Sequence, residues 1–169
     1  MIKPINCFGY IKENYKLLLE DYNWLNFIFS FILLPLIIAM LLSYNLSLDL
    51  TKEIFEKSLI FFSIIIGFLI NVLVLLVLEN KKGEKINQLG KHLSYQILTT
   101  IFFGIVNVLL ILFYIVNGGF YFEIKSISIN LLEIILWFLF SSFIIYLLNI
   151  LRKFSVYMQT KYIKKARKK

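Results

Sequence analysis

The chain predicts an all-α, polytopic membrane protein with four transmembrane helices, both termini cytoplasmic, and an amphipathic helix at its N-terminus. Three observations carry that prediction. Of the 169 residues, 60% are apolar, and the mean hydropathy is +0.82, above the usual balance of a water-soluble domain. The apolar residues gather into four runs long enough to cross a bilayer, which takes about 20 residues each. The basic residues gather on alternate sides of those runs. A core of this size cannot hide so much apolar surface, so lipid is the expected solvent.

Taken in order, residues 1–23 read as an interfacial helix. Phe8, Ile11, Tyr15, Leu18 and Tyr22 recur at helical spacing, with Lys12, Glu13, Lys16 and Glu20 between them. That is the pattern of a helix lying on the inner leaflet, or of a helical extension of the first span. The membrane domain covers 24–151, with spans expected at 24–47, 58–78, 93–116 and 127–151. Span one starts too late and runs too long for a cleaved signal peptide, and is expected to be retained. Pro35 removes a rung from its hydrogen-bond ladder and should kink it, as a hinge or for plain packing.

The first connection, DLTKEIFEK, is short and charged, and Asp49 or Thr51 is placed to cap span two. The second, ENKKGEKINQLGK, is a turn with Gly83 and Gly90. In the third, NGGFYFEIKSISIN, Asn117-Gly118-Gly119 stops the helix. The aromatics and alternating isoleucines that follow are headgroup-level residues or a small extracytoplasmic hairpin. Residues 152–169 form a basic tail that continues span four out of the bilayer.

Charge sets the orientation. The N-terminal segment, the second connection and the tail hold 15 of the 18 basic residues. Among them are Lys81, Lys82, Lys85, Arg152, Lys153, Lys164, Lys165 and Arg167. Basic residues stay in the cytoplasm, so the chain is expected in a bacterial inner membrane as N-in and C-in. These same residues are the expected contacts for an anionic inner leaflet or a cytoplasmic protein. A basic run without a folded reader carries no base specificity, so direct nucleic-acid binding is not expected.

Polar residues inside the spans are the candidate site. SIIIGFLIN places Ser63, Gly67 and Asn71 four apart on span two. Span three carries Gln96, Thr100, Gly104 and Asn107. Residues at such spacing share a helix face. Helices in lipid associate through small residues and interhelical hydrogen bonds. A lipid-facing Asn would leave four hydrogen-bonding sites unmet. Both stripes are therefore expected to face protein or water, pairing spans two and three, lining a pore or closing a subunit interface. Glu133, Trp137 and Ser141 follow one another along one face of span four. The carboxylate is intramembrane if that span begins at Ile127, and at headgroup level if it begins at Leu131; Tyr114 is a candidate donor to it. His92, beside Lys91, reads as a headgroup contact.

Chemistry is sparse. The single Cys and single His exclude an intrachain disulfide framework and a Cys/His zinc site. There is no phosphate-binding glycine loop and no dinucleotide fingerprint. The scattered carboxylates form no convergent cluster. Catalytic residues, metals and cofactors are therefore not expected.

The whole-chain pattern resembles the small four-span membrane subunits of bacterial phage-defence systems. Examples are the Kiwa transmembrane subunit and the membrane accessory proteins beside some Cas13b loci. The stretches that carry the resemblance are GFLINVLVLLVLENKK and GKHLSYQILTTIFFGIVNVLLIL, with inward termini and a basic tail. It implies a non-enzymatic sensor or effector subunit, homo-oligomeric, working with a cytoplasmic partner through the tail. An oligomeric ion channel or pore that depolarises the membrane is the other reading.

Overall fold

The computed structural model describes residues 7–46, 48–79, 84–117, 121–124 and 127–166. Lys81, Lys82 and Arg167, and the side chains of Lys85, Lys164 and Lys165, lie outside the described residues. The chain runs α1 (Cys7–Asp21), α2 (Trp24–Ile28), a π-helical turn (Phe29–Leu33), α3 (Leu34–Asn45), α4 (Leu48–Glu79), α5 (Glu84–Asn117), β1 (Tyr121–Ile124), β2 (Ile127–Asn130) and α6 (Leu131–Ala166). Four segments are long and apolar enough to cross a membrane: Trp24–Asn45, Asp49–Leu78, Leu89–Asn117 and Leu131–Thr160. The protein is thus helical throughout the spans, with one antiparallel hairpin outside them.

Three span starts differ from the sequence reading; at span three, residues 84–91 of the second connection are already helical, with Gly90 inside α5 and not in a turn. Span two begins earlier, because DLTKEIFEK is helical rather than a loop. Its Glu53 and Lys57 pair across one turn at 2.5 Å, as residues four apart on a helix do. Thr51 consequently sits inside α4 and does not cap it. Span four begins later, at Leu131. Ile127–Asn130 is strand β2, with Tyr121 opposite Asn130 and Ile124 opposite Ile127, so the hairpin reading of the third connection describes the fold. Alternating Ile-Ser-Ile-Asn has the period of a strand. Asn130 then ends it by capping α6, its Oδ1 accepting the Glu133 backbone N–H at 3.3 Å.

Span one changes winding where the sequence carries Pro35. Proline has no N–H to donate, and its ring crowds the carbonyl four residues earlier. The five residues up to Leu33 are π-helical, and Pro35 lies in the first turn of α3. A π turn of this kind widens the ladder without leaving the helix.

α6 is the central helix. It packs on α3 and α5, and α4 packs on α5. Aromatic rings tie α4 to α6 as well, Phe62 to Phe143 at 4.7 Å and Phe55 to Trp137 at 4.8 Å between centroids. The buried face of α4 is Phe55, Ser58, Phe62, Leu69, Val72 and Leu76, with half-buried Ile65 between. Those positions alternate steps of three and four, the spacing of a left-handed helix seam. The tightest approach is at Gly104 on α5. A Cβ there would meet Ile66 of α4 and Phe143 of α6, each at 3.0 Å.

α1 is held at the end of the bundle opposite the hairpin. Leu18 is fully buried among Phe27, Phe31 and Tyr146, and Asn14 and Leu17 are buried with it. Tyr22 Oη donates to Asn149 Oδ1 at 3.0 Å, and Asp21 pairs with Lys153. The helix therefore buries one face against protein, while Lys12, Glu13 and Lys16 stay exposed. Elsewhere the outer surface is apolar: Leu25, Leu78 and Val116 are among many large side chains left uncovered. An apolar surface that continuous fits acyl chains rather than water.

The Gly104 contact gives a direct test of this packing. Gly104→Leu should lower stability in a detergent unfolding titration by about 1–3 kcal/mol, the usual cost of overpacking. Gly104→Ala should cost less, because the atoms it meets are the ends of movable side chains.

Candidate functional site

The polar stripe of span three faces the bundle interior. Gln96, Thr99, Thr100, Gly104 and Asn107 on α5 are all buried. The hydroxyls are satisfied locally: Thr99 donates to the Tyr95 carbonyl at 2.9 Å, and Thr100 to the Gln96 carbonyl at 2.8 Å. The amides are not. Both polar atoms of Gln96 and of Asn107 are buried without a hydrogen-bond partner among the described residues. Asn107 lies roughly 15 Å along α5 from its Asn117 end, at 1.5 Å per residue, which is near mid-bilayer. An unpaired amide there is costly, and calls for a water or a polar partner.

The stripe of span two does the opposite. Ser63, Gly67 and Asn71 are all exposed on the outside of α4, so the expected pairing of the two stripes within one chain does not form. A Cβ on Gly67 would meet nothing within 4 Å. The reason is that α4 buries its bulky seam, where Phe55 and Phe62 fill the space beside Trp137 and Phe143. Ser63 needs no partner outside its own helix, since its hydroxyl donates to the Leu59 carbonyl at 2.9 Å. Asn71 makes no side-chain hydrogen bond among the described residues. It sits roughly 11 Å inward from Leu78, well within the apolar thickness.

The outward stripe belongs to a longer pattern. Ile60, Ile64, Gly67, Asn71, Val74 and Leu78 are all exposed and alternate steps of four and three. α4 therefore carries two seams of coiled-coil spacing on opposite sides. One is filled by this chain and the other is uncovered.

At the hairpin end, Glu133 is buried although α6 begins at Leu131. Thr51 Oγ1 donates to its Oε1 at 3.1 Å, tying α4 to α6. Asn130 and Glu133 stand at the N-cap and three residues on, the spacing of a capping box. An anion in the first helical turn is also stabilised by the helix dipole. Trp137 and Phe55 pack beside it, and Tyr114 meets Phe55 edge-on at 5.5 Å. Ser141 is buried one turn further, donating to the Trp137 carbonyl at 2.8 Å. The arrangement is a polar tie between helices, Thr51 of α4 to Glu133 of α6.

The sequence reading missed the Thr51–Glu133 bond and the buried Asn14 and Asn149. The capping-box spacing of Asn130 and Glu133 signals the start of α6 but not the partner of the Glu133 carboxylate. Among the described residues, no three His, Cys, Asp or Glu side chains gather as a metal site. No family model, no curated protein and no solved structure matches the chain.

The Thr51–Glu133 tie should show as coupling. Thr51→Val and Glu133→Leu should each destabilise by about 1–3 kcal/mol, because each leaves a buried polar group without its partner. The double variant should cost clearly less than the sum, measured as a double-mutant cycle of unfolding in detergent.

Proposed function

We propose that the chain is a non-enzymatic, integral inner-membrane subunit, with both termini in the cytoplasm, that self-associates through the outer face of α4. It acts as a sensor or effector with a cytoplasmic partner, in a multicomponent system of the phage-defence kind that its span pattern resembles. The observation that carries the assembly is Asn71, an amide on the outer surface at bilayer depth, beside Gly67 in an uncovered seam. Acyl chains offer that amide no hydrogen bond. A second copy of α4 offers an identical amide, self-complementary across a symmetry axis. Gly67, one turn away, lets the two backbones approach closely. A single polar residue in such a seam fixes register and copy number more than it adds stability.

Orientation rests on charge. The basic residues of the N-terminal segment, the second connection and the tail share one side. α6 continues beyond the span to Ala166, which projects the basic tail toward a cytoplasmic partner and the anionic leaflet. The runner-up, an ion channel or pore-forming effector, draws on the unpaired Gln96 and Asn107 amides inside the bundle, which suit a hydrated path.

Assembly is tested in native membranes by disulfide cross-linking of Gly67→Cys in a Cys7→Ser background. A specific oligomer ladder is expected at position 67, and none at Phe102, which is exposed on α5. Asn71→Leu should shift purified protein toward monomer by about tenfold in dissociation constant, equivalent to about 1.4 kcal/mol. A protein that stays monomeric at every concentration, with no cross-link at 67, sinks the assembly. Planar-bilayer recording separates the two readings: conductance altered by Asn107→Leu favours the pore, and silence under every stimulus favours the sensor subunit.

A further inference from the structure

We propose a specific site for one anionic glycerophospholipid at the end of the bundle opposite the hairpin. Two cavities adjoin there. The first, about 220 Å³, brings the polar side chains of Asp21, Tyr22, His92, Asn149, Arg152 and Lys153 together with Leu89 and Val156. The second, about 290 Å³, shares Tyr22, Asn149 and Arg152 with it and continues between the π-helical turn and α6, along Phe31, Leu34, Ile145 and Leu148. Charged groups gathered at the span's end, beside an apolar slot that runs along the span, have the division of a phospholipid: a charged head and a chain.

The charged groups of the first cavity favour an anion. Its one carboxylate, Asp21, is engaged by Lys153. Arg152 has no ion-pair partner among the described residues and is exposed at the cavity wall. Its planar guanidinium matches phosphate oxygens in pairs. Asn149 supplies the second, independent sign. It is more than nine-tenths buried, its Oδ1 is taken by Tyr22, and its Nδ2 donor has no partner. Both cavities touch it. A phosphate at their junction would accept from Arg152, and from Asn149 Nδ2 once that enclosed amide turned toward it.

The slot decides the source of the phosphate. From Arg152 to Ile145 is seven residues along α6, roughly 10 Å toward the bilayer centre. That length takes a glycerol backbone and the first methylenes of an acyl chain, and a free phosphate would leave it unused. The slot exists because the π-helical turn ahead of Pro35 places Ser30 and Phe31 against α6. The inference rests only on membrane residence, and stands or falls apart from assembly through α4.

The test uses full-length protein in detergent, with phosphatidylglycerol and phosphatidylcholine as probes, followed by native mass spectrometry. One phosphatidylglycerol should remain bound per chain, about tenfold tighter than phosphatidylcholine, whose phosphodiester is the same but whose choline cation is repelled by Arg152. Arg152→Gln should remove that preference. Leu148→Trp, which fills the slot without altering charge, should weaken both lipids. Neutralising Lys164, Lys165 and Arg167 together should leave the bound lipid in place. Equal retention of the two lipids, an unchanged Arg152→Gln variant, or loss only on tail neutralisation overturns the site. Full displacement by millimolar inorganic phosphate overturns the lipid in favour of a soluble anion.

Discussion

Between two helices surrounded by lipid, burying a leucine releases no water, because acyl chains are as apolar as the partner helix. What remains to hold the spans together is closeness of fit and the few polar groups that lipid cannot satisfy. Both are visible here. Gly104 lets α5 approach Ile66 and Phe143 to contact distance, and the aromatic rings of α4 and α6 interlock along the bundle. The polar ties stand toward the two ends: Thr51 to Glu133 near the hairpin, and Tyr22 to Asn149 and Asp21 to Lys153 at the opposite end. Packing holds the middle and hydrogen bonds set the ends.

This constraint also explains what the sequence disclosed. The existence of four spans was legible, since length and apolarity are dictated by bilayer thickness. Span ends were less so. DLTKEIFEK is polar enough to read as a loop, yet it is a helix whose charged side chains reach out beyond the apolar layer. Ile127–Asn130 is apolar enough to read as membrane, yet its period-two alternation makes it strand. The least legible property was which face of a helix turns inward. In a soluble helix the apolar stripe marks the buried face. α4 is apolar on every side, so that signal vanishes. The spacing of its large residues, Phe55, Phe62, Leu69 and Leu76 at sevens, was the information that remained.

The polar residues misled for a related reason. The rule that an amide avoids lipid is sound for the finished assembly, but it does not say whether the protection comes from the same chain. For Asn107 it does: that side chain is enclosed by its own bundle. For Asn71 it does not. Ser63 shows how a hydroxyl escapes the rule altogether by bonding back to its own helix at Leu59. The four hydrogen-bonding sites of an asparagine are too many for the same escape.

The position of α4 in the bundle gives that difference its meaning. α6 has 44% of its most apolar window buried and α4 only 22%, so α6 is the hub and α4 an edge. Polar residues at a hub can be satisfied by neighbours already present. On the outer face of an edge helix, a hydroxyl can still bond back to its own helix, as Ser63 does, but an asparagine amide finds no neighbour among the described residues of the single chain. α4 meets α5 and α6 with its large side chains and turns its smallest residue and its amide outward. If lipid were the only neighbour of that face, apolar residues throughout would serve it better, as they do at Ile60, Ile64, Val74 and Leu78. The interruption at Gly67 and Asn71 therefore fits the proposed interface between chains better than it fits a face that meets lipid alone.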